Sequence, residues 1–266
     1  MTQPTFDYET LLVERKGDVE WLTLNRPDRL NALNRRIVEE LDHYFTGLRR
    51  RLETRIVAMK ANGRAFCAGL DLGMEGDGSV QGSYDLQVAI GDVMKGIASC
   101  PQPVIALLHG AVCGGGFTMA LAADIRIAAP DTRMNAAFIK IGLTGCDMGS
   151  SYFLSRLVGV SVASELLLTG RFIDAERALR VNLVSEVVDR DQLEKSAQTY
   201  IDEILLTAPM GLRLTKQALR LGVDAPSLDA AMALEDRHQV MLTRTEDHQE
   251  AVSAFLEKRP PKYRDR

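Results

Sequence analysis

The spacing of apolar residues alternates along the first half of the chain between the pattern of a strand and that of a helix. Short apolar runs at residues 11–14 and 19–24 flank Gly17 and Asp18, which predicts a hairpin. Residues 34–52 carry apolar side chains at helical intervals, and residues 56–60 form the next strand-like run. A helix at 85–99 and strands at 104–108 and 124–128 continue the alternation. Strands joined by helical crossovers predict an α/β core.

The pattern becomes almost wholly helical beyond residue 150. One short strand is predicted at 183–188. Helices are predicted at 161–168, 175–181, 192–206, 209–221, 228–242 and 246–257. No internal repeat and no linker separates these helices from the first half. We therefore expect an α/β core over residues 1–200 and a helical C-terminal segment over 201–266, both in the same structural unit.

Two small-residue turns follow predicted strands and are candidates for binding negative charge. Residues 110–116 read Gly-Ala-Val-Cys-Gly-Gly-Gly and lead into a helix-forming segment. A helix N-terminus offers unpaired N–H groups, and glycine lets a ligand approach the backbone closely. Residues 64–72 form a similar turn after the run at 56–60. Taken alone, the three glycines are more typical of a tight strand-to-helix connection than of catalysis, but two such turns can supply one N–H each to a single oxygen.

Composition and charge exclude several other classes of function. The net charge is −4 with acids and bases interspersed, so we expect no nucleic-acid partner. The four cysteines show no Cys-x-x-Cys spacing, which argues against a metal site and against a disulfide framework. Asp7 and Glu9 interrupt the N-terminus, and no uncharged apolar run approaches the ~20 residues of a membrane span. These features predict a soluble, cytoplasmic protein. The glycine-rich segment 73–82 is expected to be a mobile loop beside the site, with a plain surface loop as an equal alternative.

An ordered set of segments resembles the crotonase (enoyl-CoA hydratase/isomerase) superfamily. The segments read NRPDRLNAL at 25–33, AFCAGLDL at 65–72, the triple-glycine turn at 110–116, and FLEKRP at 255–260. The resemblance runs from about residue 10 to residue 263. It implies a crotonase-like spiral of ββα units with a helical C-terminal extension, assembled as a homotrimer or a dimer of trimers. It also implies an acyl-CoA thioester as the substrate, with coenzyme A as part of that substrate and no separate cofactor.

The resemblance also implies roles for individual positions. The backbone N–H groups of Leu70 and Gly115 would form the oxyanion hole. Contacts to coenzyme A are implied at Arg29, Leu30, Ala32, Ala68, Phe255 and Lys258. The last two would complete the nucleotide pocket, often from a neighbouring subunit. A lysine suits a phosphate as a point charge, although an ordinary solvated lysine is the alternative at position 258.

The chain departs from a typical hydratase of this family at both acid–base positions. Thr118 and Phe138 stand where the hydratases carry glutamates, and neither can act as a general base. The remaining candidate is Asp147, since some related isomerases place their working aspartate in the corresponding loop. Partial burial in an acyl pocket would make this carboxylate a better base, whereas capping of the helix near Gly149 is the structural alternative. His109, where asparagine is more usual, is a candidate for the substrate pocket or a hydrogen-bonded structural histidine.

These observations favour an enzyme that moves a double bond in an unsaturated acyl-CoA. An atypical enoyl-CoA hydratase is the first alternative. A non-catalytic acyl-CoA binding protein, in which both glutamates have been lost, is the second.

Overall fold

The computed structural model describes residues 7–73 and 79–266. In this part of the chain two compact units are distinguished. The first runs to Cys100 and continues over Val104–Ala197, and the second comprises Pro101–Pro103 and Gln198–Arg266. The boundary near residue 197 lies close to the end of the predicted α/β core at residue 200.

A six-stranded sheet forms the centre of the first unit. Its order is β1-β2-β3-β4-β6-β9, with β1 and β2 antiparallel and every later pair parallel. The predicted hairpin is confirmed, and so is the α/β class of the core. The strands are β1 (Leu11–Lys16), β2 (Val19–Leu24), β3 (Ile56–Ala61), β4 (Val104–Leu108), β6 (Ile125–Ala128) and β9 (Glu186–Val187).

The second sheet has three short strands that the apolar pattern did not predict. It has the order β5-β7-β8, with strands β5 (Ala111–Cys113), β7 (Arg133–Asn135) and β8 (Ile173–Asp174). β5 lies inside the triple-glycine segment. Strands of two or three residues are too short to show a periodicity, so no apolar pattern indicates them.

Helix α1 (Arg35–Leu48) buries an apolar stripe in the core of the first unit. Ile37, Leu41 and Phe45 of α1 are fully or almost fully buried, as is Phe117 of α3. Burial of such stripes is the main source of helix stability in a folded protein. The helices are α1 (Arg35–Leu48), α2 (Val80–Ser99), α3 (Gly115–Ala122), α4 (Ser150–Thr169), α5 (Ala175–Arg180) and α6 (Leu193–Leu205), the last of which continues into the second unit.

Several boundaries differ from the prediction, and α1 ends at Leu48 and not at residue 52. α2 begins at Val80 and not at residue 85, because the Ser79 hydroxyl accepts the N–H of Gly82 and caps the helix. The expected loop at 73–82 is therefore shorter, and its residues 74–78 lie outside the described residues. α4 begins eleven residues before the predicted 161 and is broken at Gly159, where φ is 77°. The strand predicted at 183–188 is only Glu186–Val187.

The second unit is helical, as predicted for the C-terminal segment. It contains α7 (Pro209–Gly222), α8 (Leu228–Leu242) and α9 (Glu246–Glu257), and the last two have the predicted bounds. The buried carboxylate of Asp247 accepts the N–H groups of Arg264 and Asp265 and so fixes the C-terminal tail to α9.

Among the described residues, α4 is the one helix long and apolar enough to cross a membrane by length and composition. Its Glu165 forms ion pairs with Arg171 and Arg177.

Candidate active site

The first small-residue turn is held by the loop that precedes α1. Leu33 donates its N–H to the Gly69 carbonyl at 2.7 Å, and its own carbonyl accepts the N–H of Asp71 at 3.0 Å. In this parallel pairing Leu33 bonds to the residues on both sides of Leu70. The N–H of Leu70 therefore points away from Leu33, and it donates to no acceptor within residues 7–73 and 79–266.

The second turn places Gly115 at the start of a helix. Gly115 is the first residue of α3, so its N–H belongs to the helix terminus that has no intrahelical acceptor. The turn before it is fixed by Gly114, whose N–H donates to the Asn135 carbonyl at 2.9 Å. Gly114 has φ of 51°, a conformation that glycine adopts without steric cost.

The two turns touch at the residues that precede Leu70 and Gly115. A Cβ added to Gly69 would lie 2.9 Å from the Cys113 carbonyl oxygen and 3.6 Å from the Gly114 Cα. The N–H groups of Leu70 and Gly115 thus come from two adjacent backbone segments. A two-donor oxyanion site requires its donors to come from segments this close together.

Two glycines of the second turn are needed for packing. A Cβ on Gly116 would lie 2.3 Å from the Cys67 carbonyl oxygen, and one on Gly110 would lie 2.1 Å from the Arg64 carbonyl oxygen. Both contacts are with backbone atoms, which cannot move aside as a side chain can. The structural interpretation of this glycine-rich segment is therefore correct for these two positions, and it coexists with the proposed chemistry at Gly115.

The positions implied to contact coenzyme A in the first unit lie together. Ala68 donates its N–H to the Leu30 carbonyl at 3.0 Å. Arg26 donates to the Ala32 carbonyl and forms an ion pair with Asp71 at 3.1 Å. Arg29 is the last residue of the 3-10 turn Pro27–Arg29, which lies between Arg26 and Leu30, and it is exposed.

Sequence reasoning missed the polar residues that hold this loop. The fully buried Asn31 donates its amide to the carbonyls of Asn62 and Ala65, at 2.8 and 2.9 Å. Its amide oxygen accepts the N–H of Arg26 at 2.7 Å. A polar residue in a loop resembles any solvated residue, so only its burial shows that it is structural.

Thr118 and Phe138, the two positions at which the resemblance implies glutamates in hydratases, both lie beside Gly114. Phe138 is 5% exposed, and its ring carbon would be 3.3 Å from a Cβ on Gly114. Thr118 is fully buried, and its hydroxyl donates to the Gly114 carbonyl at 3.4 Å. Next to the second turn the chain therefore presents an aromatic ring and an engaged hydroxyl group.

Asp147 stands next to a residue that packs against the second turn. Met148, the following residue, has its sulfur atom 3.4 Å from the position of a Cβ on Gly115. Met148 has φ of 53°, a left-handed conformation that costs roughly 1–2 kcal/mol for a residue with a Cβ. Strain of this kind is typical of segments whose surroundings fix them for a function.

The carboxylate of Asp147 accepts a hydrogen bond from the Gln87 side-chain amide on α2. Its N–H donates to the Ser150 hydroxyl at 3.0 Å. The alternative interpretation, in which Asp147 caps the helix, is wrong. Gly149 occupies the cap position of α4, and no side chain caps this terminus.

His109 lies at the opposite end of β5 from Gly115. Its Nε2 is 3.1 Å from the Gly63 carbonyl oxygen, and because a carbonyl can only accept, Nε2 carries the proton. Burial and, less strongly, the charge of Arg190 lower the pKa of His109 below its usual value. These contacts fit the structural interpretation, and we therefore leave His109 out of the proposed substrate pocket.

Phe255 and Lys258 lie at the end of α9 in the second unit. Phe255 is 84% exposed, and Lys258 is an exposed residue in the left-handed conformation that ends the helix. Their contact with coenzyme A stays a prediction. Within residues 7–73 and 79–266, no group of three His, Cys, Asp or Glu side chains is placed to hold a metal ion.

Comparisons with known proteins assign the family. The family model described as "Enoyl-CoA hydratase/isomerase" matches residues 14–266. The short-chain-enoyl-CoA hydratase of Clostridium acetobutylicum is 32% identical over 255 residues, which are 95% of this chain and 97% of that protein. The 1,2-epoxyphenylacetyl-CoA isomerase of Escherichia coli is 34% identical over 259 residues, 96% of this chain and 98% of that protein.

A solved structure agrees in fold. The crystal structure of enoyl-CoA hydratase from Bacillus anthracis has a TM-score of 0.93 and 31% identity, and covers 97% of this chain and 100% of that one. This protein is therefore an enzyme of the enoyl-CoA hydratase/isomerase family, and it has the crotonase fold.

Proposed function

We propose that this enzyme moves a double bond within an unsaturated acyl-CoA. The N–H groups of Leu70 and Gly115 would hold the thioester oxygen, and Asp147 would carry the proton. One observation supports the proposal: Met148, the residue after Asp147, packs against Gly115, while Thr118 and Phe138 carry no carboxyl group.

The reaction balances with a single acid–base group. The carboxylate of Asp147 removes a proton from C2 of a 3-enoyl-CoA, and the electron pair of that C–H bond spreads over the dienolate to the thioester oxygen. The two N–H groups stabilise the negative charge there, and losing one such donor typically raises the barrier by ~3–4 kcal/mol. Asp147 then returns the proton to C4, and the double bond moves from C3–C4 to C2–C3.

Coenzyme A would lie along two adjacent segments, the loop that carries Arg29, Leu30 and Ala32 and the turn that carries Ala68. The hydrogen bond between Ala68 and Leu30 joins these two segments, and Arg29 is exposed to meet a phosphate. We expect the working enzyme to be a homotrimer or a dimer of trimers.

Hydration is the second candidate, and the relative from Clostridium acetobutylicum, which is named a hydratase, favours it. Hydration adds water across the double bond, so it needs one group to activate the water and another to protonate carbon. Asp147 would have to serve in both roles.

The two candidates differ in product mass. Purified enzyme would be mixed separately with 3-enoyl-CoA and 2-enoyl-CoA of several chain lengths, and the products followed by mass spectrometry and absorbance. We expect 3-enoyl-CoA to be converted without a change in mass. Gain of one water by the 2-enoyl-CoA, with no isomerisation of the 3-enoyl-CoA, would overturn the proposal in favour of hydration.

Replacement of Asp147 by Asn tests the acid–base assignment. We expect Asp147→Asn to abolish isomerisation while leaving the Kd for acyl-CoA within about twofold, because the amide cannot take the proton. Asp85→Asn is the matched control, since Asp85 is an exposed aspartate on α2 that also accepts from a glutamine, Gln81, at 2.8 Å. Unchanged turnover in Asp147→Asn would remove this residue from the mechanism.

A further inference from the structure

The side chain of Gln87, which takes no part in the proposed reaction, forms a hydrogen bond with Asp147, the proposed acid–base group. The Nε2 of Gln87 donates to Oδ1 of Asp147, across 60 positions of sequence. Gln87 lies on the exposed face of α2, a helix whose other face is anchored by the buried Ile90, Val93 and Met94. The bond therefore joins the Asp147 loop to a rigid element.

The backbone around Asp147 is already fixed from other directions. The Ser150 hydroxyl accepts the Asp147 N–H and donates to the Gly145 carbonyl at 3.2 Å. Met148 packs against Gly115, in the second small-residue turn. These contacts hold the main chain but leave the two side-chain torsions of the aspartate to be set by another group.

We infer that Gln87 is a positioning residue that sets the orientation of the Asp147 carboxylate toward the substrate. The inference rests on the proposed function. By occupying Oδ1, the amide directs the other carboxylate oxygen to the reacting carbon. An amide is neutral, so it holds the carboxylate without the opposite charge of lysine or arginine, which would weaken it as a base.

Gln87→Met tests the inference, because methionine keeps the length of the side chain and removes the donor. We expect kcat to fall by about 10–100-fold while KM, the Kd for acyl-CoA and Tm stay close to wild type. Gln87→Asn, which keeps the amide on a side chain one methylene shorter, should recover part of the lost kcat.

Gln81→Met is the matched control. Gln81 is also exposed on α2 and also donates to a carboxylate, that of Asp85, at 2.8 Å. We expect this variant to keep the wild-type kcat. An equal loss of kcat in Gln81→Met and Gln87→Met would mean that the helix as a whole is disturbed, and it would overturn the inference.

A double-mutant cycle separates this inference from the proposed function. In an Asp147→Asn background, Gln87→Met should have no further effect on the residual rate. If Asp147→Asn leaves turnover unchanged, the proposed function fails and the role of Gln87 fails with it. If Asp147→Asn abolishes turnover but Gln87→Met leaves kcat within twofold, or raises only KM or lowers only Tm, the role of Gln87 alone is overturned.

Discussion

The two small-residue turns, at residues 64–72 and 110–116, and the loop that carries Asp147 differ in the contacts that stabilise them. The turns at Gly69 and Gly114 are buried, touch through backbone atoms, and use peptide N–H groups. The loop at residues 141–149 is largely exposed and depends on hydrogen bonds of the Ser150 and Gln87 side chains. In the proposed mechanism, backbone packing would fix where negative charge gathers, and a few side chains would determine where the proton goes. Members of one family can therefore share the first region and differ in the second.

The largest effect is expected from a methyl group in the turns. In Gly116→Ala the new Cβ would lie 2.3 Å from the Cys67 carbonyl oxygen and 2.7 Å from the Cys67 Cβ. We expect no soluble folded protein, or a loss of more than about 4 kcal/mol in the free energy of unfolding, measured in urea. Gly91→Ala is the control, because no atom lies within 4 Å of its Cβ position on α2, and it should gain about 0.5–1 kcal/mol. A Gly116→Ala protein as stable as wild type would refute backbone packing as the basis of this region.

A smaller effect is expected from the loop. Ser150 is fully buried, and Ser150→Ala leaves the Asp147 N–H and the Gly145 carbonyl without their partner. We expect a loss of roughly 1–3 kcal/mol in unfolding free energy and a fall in kcat of about tenfold, because the loop loosens. Ser151→Ala, at the exposed neighbouring residue, is the control, and it should match wild type in both unfolding free energy and kcat. Equal behaviour of the two variants would show that the loop does not depend on this hydroxyl.

His109, which directly precedes the second turn, allows a test based on the pH dependence of stability. Because burial lowers the pKa of His109 below its usual 6.5, the unfolded chain takes up a proton more readily than the folded one. Stability associated with this residue is complete above pH 6.5 and is lost as the pH falls through the folded pKa. In His109→Asn the decline of Tm below pH 6.5 should be shallower, and turnover at pH 8 unchanged. His248→Asn, at an exposed position on α9, is the comparison, and an identical pH dependence in both variants would contradict the assignment.

The smallest effect is expected at the surface of α4. Hydrogen bonds from Arg177 and Arg171 lower the pKa of Glu165 to about 2 from its ordinary value of 4.5. Its contribution to stability is therefore present above pH 4.5 and is lost as the pH falls toward 2. Glu165→Gln should lower Tm slightly at pH 7, and the difference from wild type should shrink in acid. Glu176→Gln, which removes an exposed partner of Arg180, is the control. A difference that grows in acid would have the wrong sign for this ion pair.

Much of the fold was predictable because long elements carry periodic signals. The hairpin, β4, α8 and α9 were predicted within a residue or two, since each has clear ends in the sequence, whereas the first half of the 20-residue α4 was missed because Gly159 breaks it. The three-stranded sheet was not, because its strands are too short to show a period. The resemblance to the family implied roles for Leu70 and Gly115 within the small-residue turns, but nothing in the sequence pointed to Gln87, which looks like any polar residue on an exposed helix face.

The sequence by itself determined the family, the α/β core, the two small-residue turns and the absence of carboxyl groups at positions 118 and 138, because each of these patterns is carried by residues close together along the chain. The tertiary structure decided which groups meet: Gly69 with Gly114, Met148 with Gly115, and Gln87 with Asp147. These pairs are 33 to 60 positions apart, and contacts over such separations arise only when strand pairing and helix packing bring distant segments together.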